Sequence, residues 1–263
     1  MVFAAGLGTR LQPVTDAIPK ALVSVGGMTI LERAIRRIVA LEPGLIVVNA
    51  HHHADQIEAA VERLIESTNV EAAGGRYPDV GGAGVPRITV SVETGRPLET
   101  GGGLRHARHL FDSGRPILLH NGDVITELDL AGLVSAHVDN IRDGLTVATL
   151  AVQRRDSSRE LLFDEDGLYG RRHVTSGREE VARTPVGESH ARAFSGVHVI
   201  APELLATLPD REVFSITDHY LALAAQGVRI RPFDMETAGW WEIGTPERLA
   251  AARRALGERE VGS

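Results

Sequence analysis

Two hydrophobic periods alternate along the first 150 residues. Met1–Ala4 is a short apolar run of strand type, and Ile30–Leu41 sets Ile30, Leu31, Ala34, Ile35 and Ile38 on one helical face. Leu45–Asn49 is a continuous apolar run, the mark of a buried parallel strand. His53–Ile65 reads as a helix and Ile88–Val92 as a strand. Gly103–Phe111 follows as a short helix, Pro116–His120 as a strand, Leu128–His137 as a helix and Leu145–Val152 as a strand. This alternation predicts an α/β fold of Rossmann-like type: a mixed, mostly parallel central sheet with helices on both faces. Right-handed crossovers gather the strand C-terminal ends on one edge, where such sheets bind ligands. The loops after Ala4, Asn49 and His120 are expected to share that edge. Met1–Ala4 is short beside the usual strand of about five or six residues, as if a residue or two stood upstream.

The pattern changes after residue 150. Glu160–Phe163 and Leu168–Arg171 flank Asp164-Glu165-Asp166-Gly167, a hairpin signal. Val174–His190 is polar without a clear period. Gly196–Ile200 and Arg229–Phe233 read as strands, Ser215–Gln226 and Pro246–Leu256 as helices. Ala72–Pro86 holds five glycines and reads as a surface loop. With no repeat and no linker, residues 1–263 are expected to form a single domain. Its 1–150 half would bind nucleotide, and its 151–263 half would complete the sheet and cap a second substrate.

Composition narrows the chemistry. The chain has no cysteine, which excludes disulfides, zinc–thiolate sites and a cysteine nucleophile. No apolar run approaches the roughly 20 residues of a membrane span. Met1–Gly8 lacks the basic start of a signal peptide, so a cytoplasmic location is expected. A net charge of −7 argues against general nucleic-acid binding. An acidic chain that binds phosphates must build a local positive site against its own field. Of 28 basic side chains, 27 are arginine and one, Lys20, is lysine. Coding bias accounts for the arginines but not for the exception. Lysine is a compact point charge where arginine is a planar fork, and a site built around one phosphate oxygen would demand it.

The strongest motif is Ala4-Ala5-Gly6-Leu7-Gly8-Thr9-Arg10-Leu11-Gln12-Pro13, followed by Pro19-Lys20-Ala21-Leu22. Glycines after a strand let backbone N–H groups approach a polyphosphate without Cβ interference, and Arg10 supplies forked donors for phosphate oxygens. No Gly-Lys-Ser/Thr follows, so this is not a P-loop, and the G-x-G-x-x-G spacing fails at Leu11. Downstream, Glu99-Thr100-Gly101-Gly102-Gly103 offers either a flat platform for a base or a helix-start turn. Asn121-Gly122-Asp123, after an apolar strand, is either a turn or a carboxylate placed to hold Mg²⁺. Adjacent histidines in an extended segment point in different directions. His51-His52-His53 therefore reads mainly as a helix start and pocket wall, with substrate contact as a second reading and metal binding as a third.

The run AAGLGTRLQPVTDAIPKALVSVGG resembles the opening motif of the sugar-1-phosphate nucleotidyltransferases. The likeness is nearest to short members similar to N-acetylmuramate 1-phosphate uridylyltransferase and to mannose- or heptose-1-phosphate guanylyltransferases. It covers nearly the whole chain and weakens between about Arg154 and Arg192. The resemblance implies the nucleotide-diphospho-sugar transferase fold. It implies a nucleotide site at Ala4, Ala5, Gly6, Leu7, Gly8, Thr9, Glu99, Thr100, Gly101 and Gly102, and catalytic roles for Arg10 and Lys20. It implies sugar contacts from Asn121, Gly122, Ser195 and Gly196, and Mg²⁺ held by Asp123 and Glu242. The last is a departure, since Trp240-Trp241-Glu242-Ile243-Gly244-Thr245 carries glutamate where the family has aspartate. The activity implied is attack of a sugar 1-phosphate on the α-phosphorus of an NTP, UTP or GTP ahead of CTP or dTTP, with release of pyrophosphate. The alternatives are a cytidylyltransferase acting on a non-sugar phosphate such as phosphocholine and a non-catalytic nucleotide-sugar sensor. Neither nucleic acid nor membrane is an expected partner.

Overall fold

The computed structural model describes residues 1–73, 86–111, 114–235 and 237–257. In chain order the elements are β1 (Val2–Phe3), β2 (Ser24–Val25), β3 (Met28–Thr29), α1 (Ile30–Val39), β4 (Leu45–Ala50), α2 (Ala54–Ala73), β5 (Arg87–Val92) and α3 (Glu99–Ala107). Next come β6 (Ile117–Asn121), β7 (Val124–Thr126), α4 (Leu130–Asn140), β8 (Thr146–Gln153), β9 (Arg159–Asp164), β10 (Gly167–His173) and β11 (Arg178–Val181). The chain ends with β12 (His190–Ile200), α5 (Ile216–Ala224), β13 (Arg229–Asp234), β14 (Trp240–Glu242) and α6 (Pro246–Ala255). This is the mixed α/β architecture that the alternation predicts. Most of the glycine-rich Ala72–Pro86 segment, residues 74–85, lies outside the described residues. Among the described residues, no helix is long and apolar enough to cross a membrane.

The chain divides into two compact units. The first takes Met1–Pro97, Asn121–Thr126 and Trp241–Ser263, so it draws on both halves of the sequence. Its strands β1, β4 and β5 are parallel, with Phe3 opposite Asn49 and Asn49 opposite Ser91. Parallel neighbours need crossovers, and α1 and α2 supply them. Thr29 caps α1 by accepting the Glu32 N–H at 3.1 Å, a Thr-x-x-Glu start that stops the apolar face from fraying. Leu11, Val23, Val25, Ile30, Ile125, Ile243 and Leu249 form one buried cluster with Ile18 and Trp241 packed on it. That cluster anchors the segments that build the site.

The second unit takes Leu98–His120 and Glu127–Trp240. Its sheet is built around β12, which pairs antiparallel with β6, β8 and β9, and β8 in turn pairs parallel with β13. The β9–β10 hairpin closes at Glu165-Asp166 as its turn residues predict, and Gly167 takes the positive φ of 106° that ends the turn. The aperiodic Val174–His190 stretch contains β11, paired antiparallel with β10. Its sequence carries no alternation because this edge strand is largely exposed on both faces. Strand β12 is longer than the Gly196–Ile200 core of the pattern, since its polar start pairs with β9.

Candidate active site

The chain leaves β1 at Ala4, whose N–H is held by Asn49 Oδ1 at 2.7 Å. The glycine loop begins there. Gly8 has φ 67°, the left-handed region that glycine enters at little cost. Its carbonyl accepts the Thr15 hydroxyl at 2.8 Å, and a Cβ at this position would stand 2.8 Å from the Thr15 methyl. Glycine is thus required here both by conformation and by packing. Thr9–Leu11 forms a single 3-10 turn that buries Leu11 and leaves the Arg10 side chain 68% exposed.

Lys20 opens another such turn, Lys20–Leu22, behind Pro19. Its Nζ lies 2.5 Å from Asp123 Oδ2, with the lysine side chain only 11% exposed. Asp123 stands between β6 and β7, and its carbonyl accepts the Ile243 N–H at 2.8 Å. This bond draws the Trp241–Gly244 segment alongside it. Glu242 then pairs with Arg10, 3.6 Å away, and with Arg248 in the first turn of α6. Any side chain at Gly244 would collide with the Glu242 carboxylate.

The glycine loop, Lys20, Asp123 and Gly244 border a cleft of about 340 Å³. Ala4, Gly6, Leu7, Gly8, Thr9, Arg10, Lys20, Gly122 and Asp123 all line it, as do Phe3, Ala21, Pro97 and Gly244. The cleft belongs wholly to the first unit. Among the lining residues two cationic side chains, Arg10 and Lys20, stand with one carboxylate, Asp123, so the cleft wall carries a local positive excess inside an acidic chain. That is the arrangement an anionic ligand requires.

Whether Mg²⁺ fits rests on the donor set. Asp123 and Glu242 carry hard oxygen donors on segments joined by the Ile243–Asp123 hydrogen bond, and Mg²⁺ prefers such donors. Among the described residues no group of three or more His, Asp or Glu side chains could hold a metal by itself. A two-carboxylate site leaves the rest of an octahedral shell to substrate oxygens and water, the usual state for Mg²⁺.

Glu99, Thr100, Gly101, Gly102, Ser195 and Gly196 belong to the second unit. Glu99 opens α3 with φ 62°, a costly conformation for a residue with a Cβ. The glycines lie buried inside α3 rather than in a loop. The Phe214 carbonyl accepts the N–H groups of Gly101 at 2.9 Å and Gly102 at 3.2 Å, and Thr100 Oγ1 accepts the Ile216 N–H at 3.1 Å. Added Cβ atoms would strike the Phe214 ring and the Glu212 carbonyl, so the triplet lets protein backbone approach. Ser195 and Gly196 occupy an irregularity in the β12–β8 ladder, where Gly196 takes φ 81°. Trp240 Nε1 donates to the Ser195 carbonyl at 2.8 Å, and the Arg155 guanidinium stacks 3.6 Å over the Trp240 ring.

His53 takes φ 55° and opens α2, its carbonyl accepting the Gln56 and Ile57 N–H groups. His51 Nε2 lies 2.8 Å from the Gly95 carbonyl. Sequence reasoning passed over Arg248, Gly244, Asn49 and Glu93. Thr245-Pro246, an N-cap followed by proline at the first helical position, was the available signal that Arg248 would face back toward Glu242.

Comparison with known proteins agrees with this geometry. The family model described as nucleotidyl transferase matches residues 1–259. N-acetylmuramate alpha-1-phosphate uridylyltransferase of Caulobacter vibrioides is 34% identical over 98% of this chain and 96% of its own length. Mannose-1-phosphate guanyltransferase of Aspergillus fumigatus is 24% identical over 94% of this chain, which spans 61% of that protein. Among solved structures, HddC from Yersinia pseudotuberculosis shares the fold with a TM-score of 0.68 and 20% identity, covering 97% of this chain and 98% of that one. By its match over nearly the whole length, the chain belongs to the nucleotidyl transferase family.

Proposed function

We propose that this protein transfers a nucleotidyl group from an NTP to a sugar 1-phosphate and releases pyrophosphate. The observation that carries this reading is the convergence of the Gly6–Arg10 loop, Lys20 and Asp123 on one cleft. The relatives named above act, by their names, on N-acetylmuramate 1-phosphate and mannose 1-phosphate. UTP is accordingly the first donor to test and GTP the second, and the enzyme is read as cytoplasmic.

The reaction is a direct displacement. A phosphate oxygen of the sugar 1-phosphate forms a bond to the α-phosphorus. The bond from that phosphorus to the bridging oxygen breaks, and pyrophosphate leaves with the electron pair. The difficulty is that two anions must meet. Backbone N–H groups of the glycine loop and the Arg10 fork bind the triphosphate. Lys20, fixed by Asp123, presents a compact charge at the cleft wall, so the enzyme does not have to assemble it during reaction. Asp123 and Glu242 would hold Mg²⁺, which supplies charge neutralisation when bound. Asn121 and Gly122 would contact the sugar.

A pyrophosphate-release screen of four NTPs against a panel of sugar 1-phosphates with Mg²⁺ tests this. Release is expected only when all three components are present. Nucleotide binding without turnover across the panel would identify a sensor instead.

A further inference from the structure

Two buried polar side chains meet beneath the glycine loop. Asn49 in β4 is 1% exposed, and Glu93, just beyond β5, is 3% exposed. Asn49 Nδ2 donates to Glu93 Oε1 at 2.6 Å. Asn49 Oδ1 accepts the Ala4 N–H at 2.7 Å, nearer than the backbone carbonyl of the same residue at 3.2 Å. The Glu93 N–H is itself fixed on the Ala50 carbonyl at 2.7 Å.

Backbone ladders already hold β1, β4 and β5 in register. The sheet does not need this pair, and burying an amide and a carboxyl group is costly unless both are bonded. The pair acts where β1 ends and the chain must turn into the loop. An asparagine amide has one acceptor end and one donor end. Glu93 engages the donor end, which leaves Oδ1 facing the Ala4 N–H and excludes the flipped amide. We propose that Asn49 and Glu93 are positioning residues that set the departure angle of the nucleotide-binding loop by orienting the Ala4 amide. The inference rests on reading that loop as a phosphate cradle.

Reversing the donor sense tests it. Asn49→Asp sets two acceptors against each other and breaks the relay. Adding Glu93→Gln restores it, because the new amide donates to the new carboxylate while Ala4 keeps its acceptor. Two measurements are needed: amide hydrogen exchange of segment 1–11, and equilibrium binding of Mg-UTP and Mg-GTP. Asn49→Asp should speed the exchange and weaken the tighter nucleotide about tenfold, the scale of one lost buried hydrogen bond. The double variant should recover both. If Asn49→Asp does not fold, Asn49→Ala should show the same two shifts. Unchanged exchange in the single variants, or a double variant no better than Asn49→Asp, would overturn the proposal. A wild-type protein that binds neither nucleotide would refute the reading of the loop, while the exchange data would still decide whether the pair holds Ala4.

Discussion

Lys20 and Asp123 lie 103 residues apart in sequence, yet their charged atoms are 2.5 Å apart at the wall of the cleft. The single lysine of the chain is therefore the residue that meets this carboxylate. Arginine would keep the charge but spread it over a planar fork and move it from the position where Nζ meets Asp123. Lys20→Arg is expected to fold normally and to lose turnover by about 10²-fold or more, the scale of one preorganised charge contact. Steady-state kinetics beside a thermal melt decides it. Near-full turnover would mean that coding drift alone explains the lysine.

Gly122 precedes Asp123 and packs against β1. Its N–H donates to the Phe3 carbonyl at 2.8 Å, and a Cβ there would stand 2.5 Å from the same oxygen. Either β1 or the Asn121–Asp123 turn would have to move. Gly122→Ala should cost about 1–3 kcal/mol, the usual range for overpacking, and should lower turnover by displacing Asp123 from Lys20. Chemical denaturation together with kinetics measures both. Wild-type values for both would show that the cleft does not depend on this close approach.

In the first unit α1, β4 and β5 were legible because each carries its own period, whereas β2, β3 and β7, of two or three residues, are too short to show one. The apolar face of α1 and the continuous run of β4 leave little choice of element. The loop chemistry was legible because Gly8 must be glycine for local reasons. Glu99–Gly103 was harder to read. Glycines favour a turn by propensity, yet close packing on Phe214 and Glu212 places them inside α3, which is tertiary information. Strand β11 was hidden because an edge strand exposed on both faces has no alternation to show. Arg248 and Glu93 act through partners 6 and 44 residues away, and spacing alone does not reveal such pairs.

Asp164 makes a different kind of prediction. Its side chain is fully buried and accepts from Arg183 at 2.6 and 2.7 Å, from the Val186 N–H at 2.6 Å and from the Asp166 N–H at 2.9 Å. Burial pushes its carboxyl group up, but these donors outweigh it and hold it below the usual carboxylate range. The unfolded chain has the ordinary value. The group therefore stabilises the fold above the ordinary carboxylate range, and that contribution is lost as pH falls through the folded value. Asp164→Asn leaves Arg183 without its charged partner and should cost about 3 kcal/mol at neutral pH. Melts across pH should show the gap between wild type and variant closing in acid. A gap that stays constant would assign the effect to packing.

Glu242 stands where the resemblance drawn from the sequence implies aspartate, and its surroundings say what the longer arm does. The carboxylate reaches Arg10 and Arg248 together, and Gly244 leaves the space for it. Aspartate would draw the oxygens back by about 1.5 Å, one carbon–carbon bond, away from both guanidinium groups. Mg²⁺ tolerates little deviation from octahedral geometry at about 2.0–2.1 Å. Glu242→Asp should therefore raise the Mg²⁺ concentration for half-maximal rate, although aspartate is the residue the resemblance implies. Glu242→Gln, of equal length and without the charge, should do more damage, because it weakens the hold on Arg10 as well as any hold on the metal. Rate measured against Mg²⁺ for both variants separates the two roles. Wild-type metal dependence in Glu242→Gln, with a weaker affinity for NTP, would make Glu242 the clamp on Arg10 and leave Asp123 as the principal protein carboxylate for the metal.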